Sequence, residues 1–137
     1  FLVYTGIGRK AETILSNQKK SIKKNNVLLN KLTKFAYQGE KLLNKKNYDE
    51  IGIVLNNNWK IKKKLSNKIS NTKLDKIYTL GINNGAIGGK ICGAGKGGYM
   101  LFYVPSSNHN LFVKKFKNDI LKFSVSKHGA SIILNDT

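Results

Sequence analysis

The sequence predicts an α+β fold, a small antiparallel sheet with helices packed on one face. Three observations lead there. Apolar residues recur at helical spacing from about residue 9 to residue 82. Beyond that the pattern changes to short hydrophobic runs punctuated by glycine. The chain's 137 residues, 40% of them hydrophobic, are enough for one core, so residues 1–137 read as one domain.

The opening run, residues 1–5, reads as a strand, and Gly6 and Gly8 turn the chain after it. A helix is expected from about Arg9 to Lys24, with Ala11, Ile14, Leu15 and Ile22 in helical register. A second carries Val27, Leu28, Leu32, Phe35, Ala36, Leu42 and Leu43 to about Lys46, where KKNYDE interrupts it. The third runs from Tyr48 to Leu65 with Ile51, Val54, Leu55, Trp59 and Ile61 inward. Asp49 and Glu50 in its first turn complement the helix dipole. Asn71 or Thr72 caps a fourth helix, which bears Leu74, Ile77, Tyr78 and Ile82.

Lys90–Cys92 and Tyr99–Val104 then read as two strands joined by GAGKGG, and Pro105 ends the second. Ser107 or Asn108 caps a last helix with Leu111, Phe112, Phe116, Ile120 and Leu121 on one face. Phe123–Ser126 and Ser131–Leu134, on either side of Gly129, are expected to complete the antiparallel sheet. No linker, internal repeat or second domain is visible.

Composition narrows the function. No run approaches the roughly 18 apolar residues of a membrane span, and no signal sequence opens the chain, so a soluble cytoplasmic protein without a membrane partner is expected. A single cysteine, Cys92, and two distant histidines, His109 and His128, offer neither a disulfide nor zinc-type spacing. The start at Phe1, in a strand-like run without an initiator Met, suggests a piece of a longer protein.

The net charge of +18 points formally to a polyanion. Lysine, however, supplies all but one of the basic charges, alongside abundant asparagine, a bias that an AT-rich coding sequence produces by itself. The lysines are scattered through KKSIKKNN, LNKKN and KIKKKL, which suits solvated helix faces better than one binding stripe. The lone guanidinium, Arg9 in YTGIGRKA, is informative against that background. Its planar fork binds phosphate or carboxylate bidentately, as lysine cannot, although pairing with a nearby carboxylate at a helix start accounts for it equally well.

The densest functional signal is Gly81–Gly98, GINNGAIGGKICGAGKGG, which holds eight of the thirteen glycines and runs directly into the strand YMLFYVP. Glycine reaches positive φ and lets successive N–H groups converge, so such a loop suits a phosphate.

GAIGGKICGAGKGGYMLFYVP closely resembles the third signature motif of the GHMP kinases, the superfamily of galactokinase, homoserine kinase, mevalonate kinase and phosphomevalonate kinase. The resemblance extends along nearly the whole chain and is strongest toward the heptose-phosphate kinase branch. LVYTGIGRKAETIL is similar to the segment that opens that branch's C-terminal domain. LNNNWKIKKKLSNKIS followed by LDKIYTLGINNGAIGGK is similar to its Trp helix, Lys, second helix and glycine loop.

The resemblance implies the ferredoxin-like C-terminal domain of an ATP- and Mg²⁺-dependent kinase that phosphorylates a hydroxyl of a sugar phosphate. In that family the ATP phosphate loop, P-x-x-x-G-L-x-S-S, and the carboxylate beside the attacking hydroxyl belong to the N-terminal domain. This chain carries no match to that loop, so no catalytic residue is expected here and the piece by itself is expected to be inactive. Its own N-terminal domain, ATP and a sugar phosphate are the implied partners.

Carried onto these residues, the resemblance makes Gly93, Ala94, Gly95, Lys96, Gly97 and Gly98 the loop facing the phosphates across the domain cleft. Lys96 departs from the family's usual glycine and Tyr99 from its usual Phe. Thr5, Gly6 and Arg9 match a TGxxR element whose arginine would read the substrate's phosphate. Lys62, three residues after Trp59, and Lys90 are further candidates for that anion, each set against the commoner role of a solvated surface charge. A basic α+β module stacking bases on Tyr99 and Phe102, and a regulatory domain that keeps only the fold, are the alternative readings.

Overall fold

The structure, a computed structural model, describes residues 1–8, 22–121 and 123. Strand β1 is Leu2–Tyr4; α1 is Ile22–Asn44, α2 is Tyr48–Lys64 and α3 is Thr72–Asn83. Strands β2 (Gly88–Ile91) and β3 (Tyr99–Tyr103) follow, then a short 3₁₀ turn at Ser106–Asn108 and α4 (His109–Phe116). A second 3₁₀ turn, Lys117–Asp119, leads into β4 (Ile120–Leu121). The sheet order is β2-β3-β1-β4 and every neighbouring pair is antiparallel. The predicted α+β class is the class observed.

Helix starts and stops follow local chemistry. Asn71 caps α3, its side-chain oxygen accepting from the Leu74 N–H at 3.0 Å. At the other end Gly85, at φ +97°, closes a Schellman turn in which Ala86 N–H donates to Gly81 and Gly85 N–H to Ile82. In α2, Asp49 and Glu50 open the helix and Lys62–Lys64 end it, so charge complements the dipole at both ends.

The core lies where α2, α3 and α4 meet the sheet. Trp59, Ile69, Leu74, Ile91, Met100, Phe102 and Phe112 are all essentially inaccessible to solvent. Phe102 stacks among Tyr78, Phe112 and Phe116, with ring centroids 5.4–6.1 Å away. Two close approaches set the helices on the strands. A Cβ on Gly88 would lie 1.9 Å from the Gly52 carbonyl of α2, and one on Gly81 would lie 2.4 Å from the Phe102 ring. Backbone therefore touches backbone where α2 crosses β2, a distance that only glycine permits.

Several expectations change. In α1 the inward line is Asn25, Leu28, Leu32, Phe35, Gly39 and Leu42, while Ala36, Val27 and Leu43 are exposed, the last two at 68% and 56%. Asn25 reaches inward because its amide donates to the Leu65 carbonyl at 3.0 Å. The last helix stops at Phe116, where Lys117 takes φ +40° and breaks the helical path. Ile120 and Leu121 accordingly leave the predicted helical face and pair with Val3 and Leu2 as the fourth strand. Phe123 lies outside any strand, and the expected strand residues 124–126 and 131–134 fall outside the described residues, as do most of the expected helix at 9–24 and His128. No helix among the described residues is long and apolar enough to cross a membrane.

Candidate functional site

Two motifs more than 80 residues apart in the sequence form one structure. β1 delivers Thr5 beside the end of the glycine loop because Tyr4 pairs with Tyr99. Thr5 N–H and the Thr5 hydroxyl both donate to the Gly98 carbonyl, at 2.9 and 2.8 Å. Gly98 N–H returns a bond to the Ile7 carbonyl at 3.0 Å. A Cβ on Gly97 would lie 2.6 Å from that same carbonyl, so a side chain there would push the two motifs apart.

The loop from Gly93 to Gly98 bridges β2 and β3, with Cys92 N–H still donating to Tyr99 at 2.9 Å. Gly93, Gly95, Lys96 and Gly98 all have positive φ, at 68°, 114°, 67° and 85°. The α2–α3 connection supports it from below. Lys96 N–H donates to the Ile69 carbonyl at 2.8 Å, and the Asn71 amide reaches the Lys96 carbonyl at 3.5 Å. Asn71 thus caps α3 and buttresses the loop with the same side chain.

These bonds limit the phosphate nest expected from the glycine pattern. The N–H groups of Lys96 and Gly98 are occupied by protein carbonyls. Those of Gly93, Ala94 and Gly97 have no hydrogen-bond partner among the described residues. The loop presents donors, but through fewer groups than the glycine count suggests.

Of the candidate cations, Lys62 reaches the loop: its ammonium donates to the Gly93 carbonyl. Lys90 is not brought to the same place. It lines a cavity of about 450 Å³ with Phe35, Leu43, Ile51, Val54 and Asn58, between α1, α2 and β2. Burial there holds its pKa below the usual lysine value. Lys96 is exposed on the loop, and Arg9 lies outside the described residues. Lys73, which the sequence pattern does not single out, joins them: from the first turn of α3 it donates to the Gly6 carbonyl at 3.3 Å, and Gly6 itself has φ +63°. Its place in TKLDK resembles any solvated helix lysine, so only folding distinguishes it.

Residues 40–115, more than half of the chain and including the whole glycine loop, match the family model described as GHMP kinases C terminal. The chain belongs to the GHMP kinase C-terminal family. It is 32% identical over 133 residues to D-glycero-alpha-D-manno-heptose 7-phosphate kinase of Campylobacter jejuni, a match covering 93% of this chain and 39% of that protein. Among solved structures it is similar to L. major mevalonate kinase in complex with R-mevalonate, with a TM-score of 0.72 and 24% identity. That likeness covers 85% of this chain and 36% of the mevalonate kinase, and it carries the fold. The chain therefore spans less than two-fifths of the length of these GHMP relatives.

Proposed function

We propose that this chain is the C-terminal domain of an ATP-dependent sugar-phosphate kinase that transfers the γ-phosphoryl group to a hydroxyl of D-glycero-D-manno-heptose 7-phosphate. The observation that carries this reading is the 32% identity, over 93% of the chain, to a protein named for that activity. The union of the Thr5–Gly6 turn with the glycine loop supports it, because a substrate-reading element and a phosphate-facing loop must share one cleft wall.

Phosphoryl transfer asks little covalent chemistry of a protein; positioning and neutralisation of developing charge carry it. In this reading Gly93–Gly98 form one wall of the phosphate site, with the N–H groups of Gly93 and Ala94 as donors, Gly97 being buried against Ile7. Arg9, set by the Gly6 turn, holds the substrate's own phosphate, whereas Thr5, expected beside them, is buried with both of its donors on the Gly98 carbonyl and joins that element to the loop instead. Among the described residues no three of His, Cys, Asp and Glu come together as metal ligands. On the family resemblance, Mg²⁺, the ATP phosphate loop and the catalytic carboxylate are assigned to an N-terminal domain. Mg²⁺ would neutralise charge on the ATP phosphates there. A kinase working on ATP and a sugar phosphate belongs in the cytoplasm.

The test is turnover by the full-length protein with ATP, Mg²⁺ and a panel of heptose and hexose phosphates. Turnover that prefers the heptose 7-phosphate supports the proposal, and Arg9→Ala should then raise KM for the phosphorylated sugar. Silence across the panel, with an intact upstream phosphate loop, would remove the substrate assignment.

A further inference from the structure

Lys62 sits in the last turn of α2, one helical turn after the buried Trp59, which anchors that end of the helix in the core. From there its ammonium bonds the carbonyl oxygen of Gly93, the first residue of the glycine loop. Other hydrogen bonds to the loop come from uncharged groups, among them the Ile69 and Ile7 carbonyls, the Thr5 N–H and hydroxyl and the Asn71 amide.

The direction of that carbonyl has a chemical consequence. In a trans peptide the C=O of one residue and the N–H of the next point in opposite directions. With the Gly93 oxygen drawn onto Lys62, the Ala94 N–H must face away from α2. That N–H has no hydrogen-bond partner among the described residues. Gly93, at φ +68°, lacks the Cβ that would resist rotation of this peptide plane. A flipped plane would put a carbonyl oxygen where the donor now stands and would repel an anion.

We infer that Lys62 is a positioning residue that locks the Gly93–Ala94 peptide with its N–H presented to the phosphoryl group, and that it does not itself read the substrate's phosphate. The inference rests on the kinase reading above for its catalytic consequence, though not for the lock itself.

Three variants of the full-length protein, Lys62→Met, Lys62→Gln and Lys62→Arg, decide it through two readouts. The first is hydrogen exchange. In Lys62→Met and Lys62→Gln, peptides covering residues 92–99 should exchange at least about tenfold faster, with peptides from α3 and β3 unchanged, because release of one bond frees a local segment. Lys62→Arg, whose guanidinium can reach the same carbonyl, should restore protection. This readout needs no activity, so it stands even if the kinase assay is silent and the assigned reaction falls. The second is steady-state kinetics. A misdirected donor should lower kcat by about 100-fold with KM for the sugar phosphate within a factor of about three. Arg should recover most of the loss. Unchanged loop exchange in both Met and Gln variants overturns the lock. A tenfold rise in KM for the sugar phosphate with kcat retained assigns Lys62 to the substrate and overturns the inference equally.

Discussion

The Thr5 hydroxyl donates to the Gly98 carbonyl at 2.8 Å, across 93 residues of sequence, and the Thr5 side chain is almost completely buried as it does so. The Thr5 backbone N–H shares the same acceptor at 2.9 Å. One residue therefore closes the junction between the turn after β1 and the glycine loop.

Thr5→Val keeps the shape and removes the hydroxyl. Because Gly98 O retains the Thr5 N–H, the cost should be about 1 kcal/mol. Urea unfolding of the full-length protein measures it. Faster hydrogen exchange at Gly98 should accompany the loss, since its junction is loosened.

Two glycines should respond oppositely to alanine. A Cβ on Gly88 meets the Gly52 carbonyl at 1.9 Å, and neither backbone can yield without moving α2 off β2, so Gly88→Ala should destabilise by about 3 kcal/mol or more. A Cβ on Gly39 in α1 meets nothing within 4 Å, so Gly39→Ala should stabilise by about 0.5–1 kcal/mol. Thermal or urea unfolding compares the pair. Equal effects would mean that the α2–β2 approach is looser than its geometry.

Lys96 holds φ +67° in a loop whose other positive-φ residues are glycine. Lys96→Gly should relieve that strain and stabilise by about 0.5–1 kcal/mol after the extra entropy of glycine is counted. Its kinetic effect decides the side chain's role. An unchanged KM for ATP leaves the ammonium in solvent, whereas a several-fold rise puts it on the phosphates.

Tyr103 donates to the Asp49 carboxylate at 2.8 Å, and burial together with that bond pushes its phenol up to about 12. An unfolded tyrosine ionises near 10. The stability linked to this group is therefore fully present below about pH 10 and is lost as pH rises through about 12. Phenolate absorbance should show a late-ionising fraction that shrinks by one tyrosine in Tyr103→Phe, burial of Tyr78 keeping that phenol late as well, and part of which moves to lower pH in Asp49→Asn.

Much of the fold is legible from local chemistry. The Asn71 cap, the break at KKNYDE and the hydrophobic run YMLFYVP each act within a few residues, so periodicity, capping and run length locate α2, α3 and β3 closely. The fourth strand is not legible this way. Ile120 and Leu121 continue the helical spacing of Phe112 and Phe116, and only the turn at Lys117 and the free edge of β1 redirect them into the sheet.

The candidate site divides along the same line. The sequence alone determined where the glycines cluster, in residues 81–98, and, through GAGKGG, which family the chain resembles, because a glycine pattern is written in consecutive positions; the fold confined the loop itself to Gly93–Gly98, since residues 81–83 end α3 and Gly88–Ile91 form β2. Tertiary structure decided the rest. It put Lys62 on the loop, turned Lys90 into the cavity between α1, α2 and β2, enlisted Lys73 at Gly6, and tied up the N–H groups of Lys96 and Gly98. Those outcomes depend on which strand lies beside which and how closely a helix crosses it. A lysine's role is set by the oxygen that folding brings within its reach, and no local spacing encodes that oxygen.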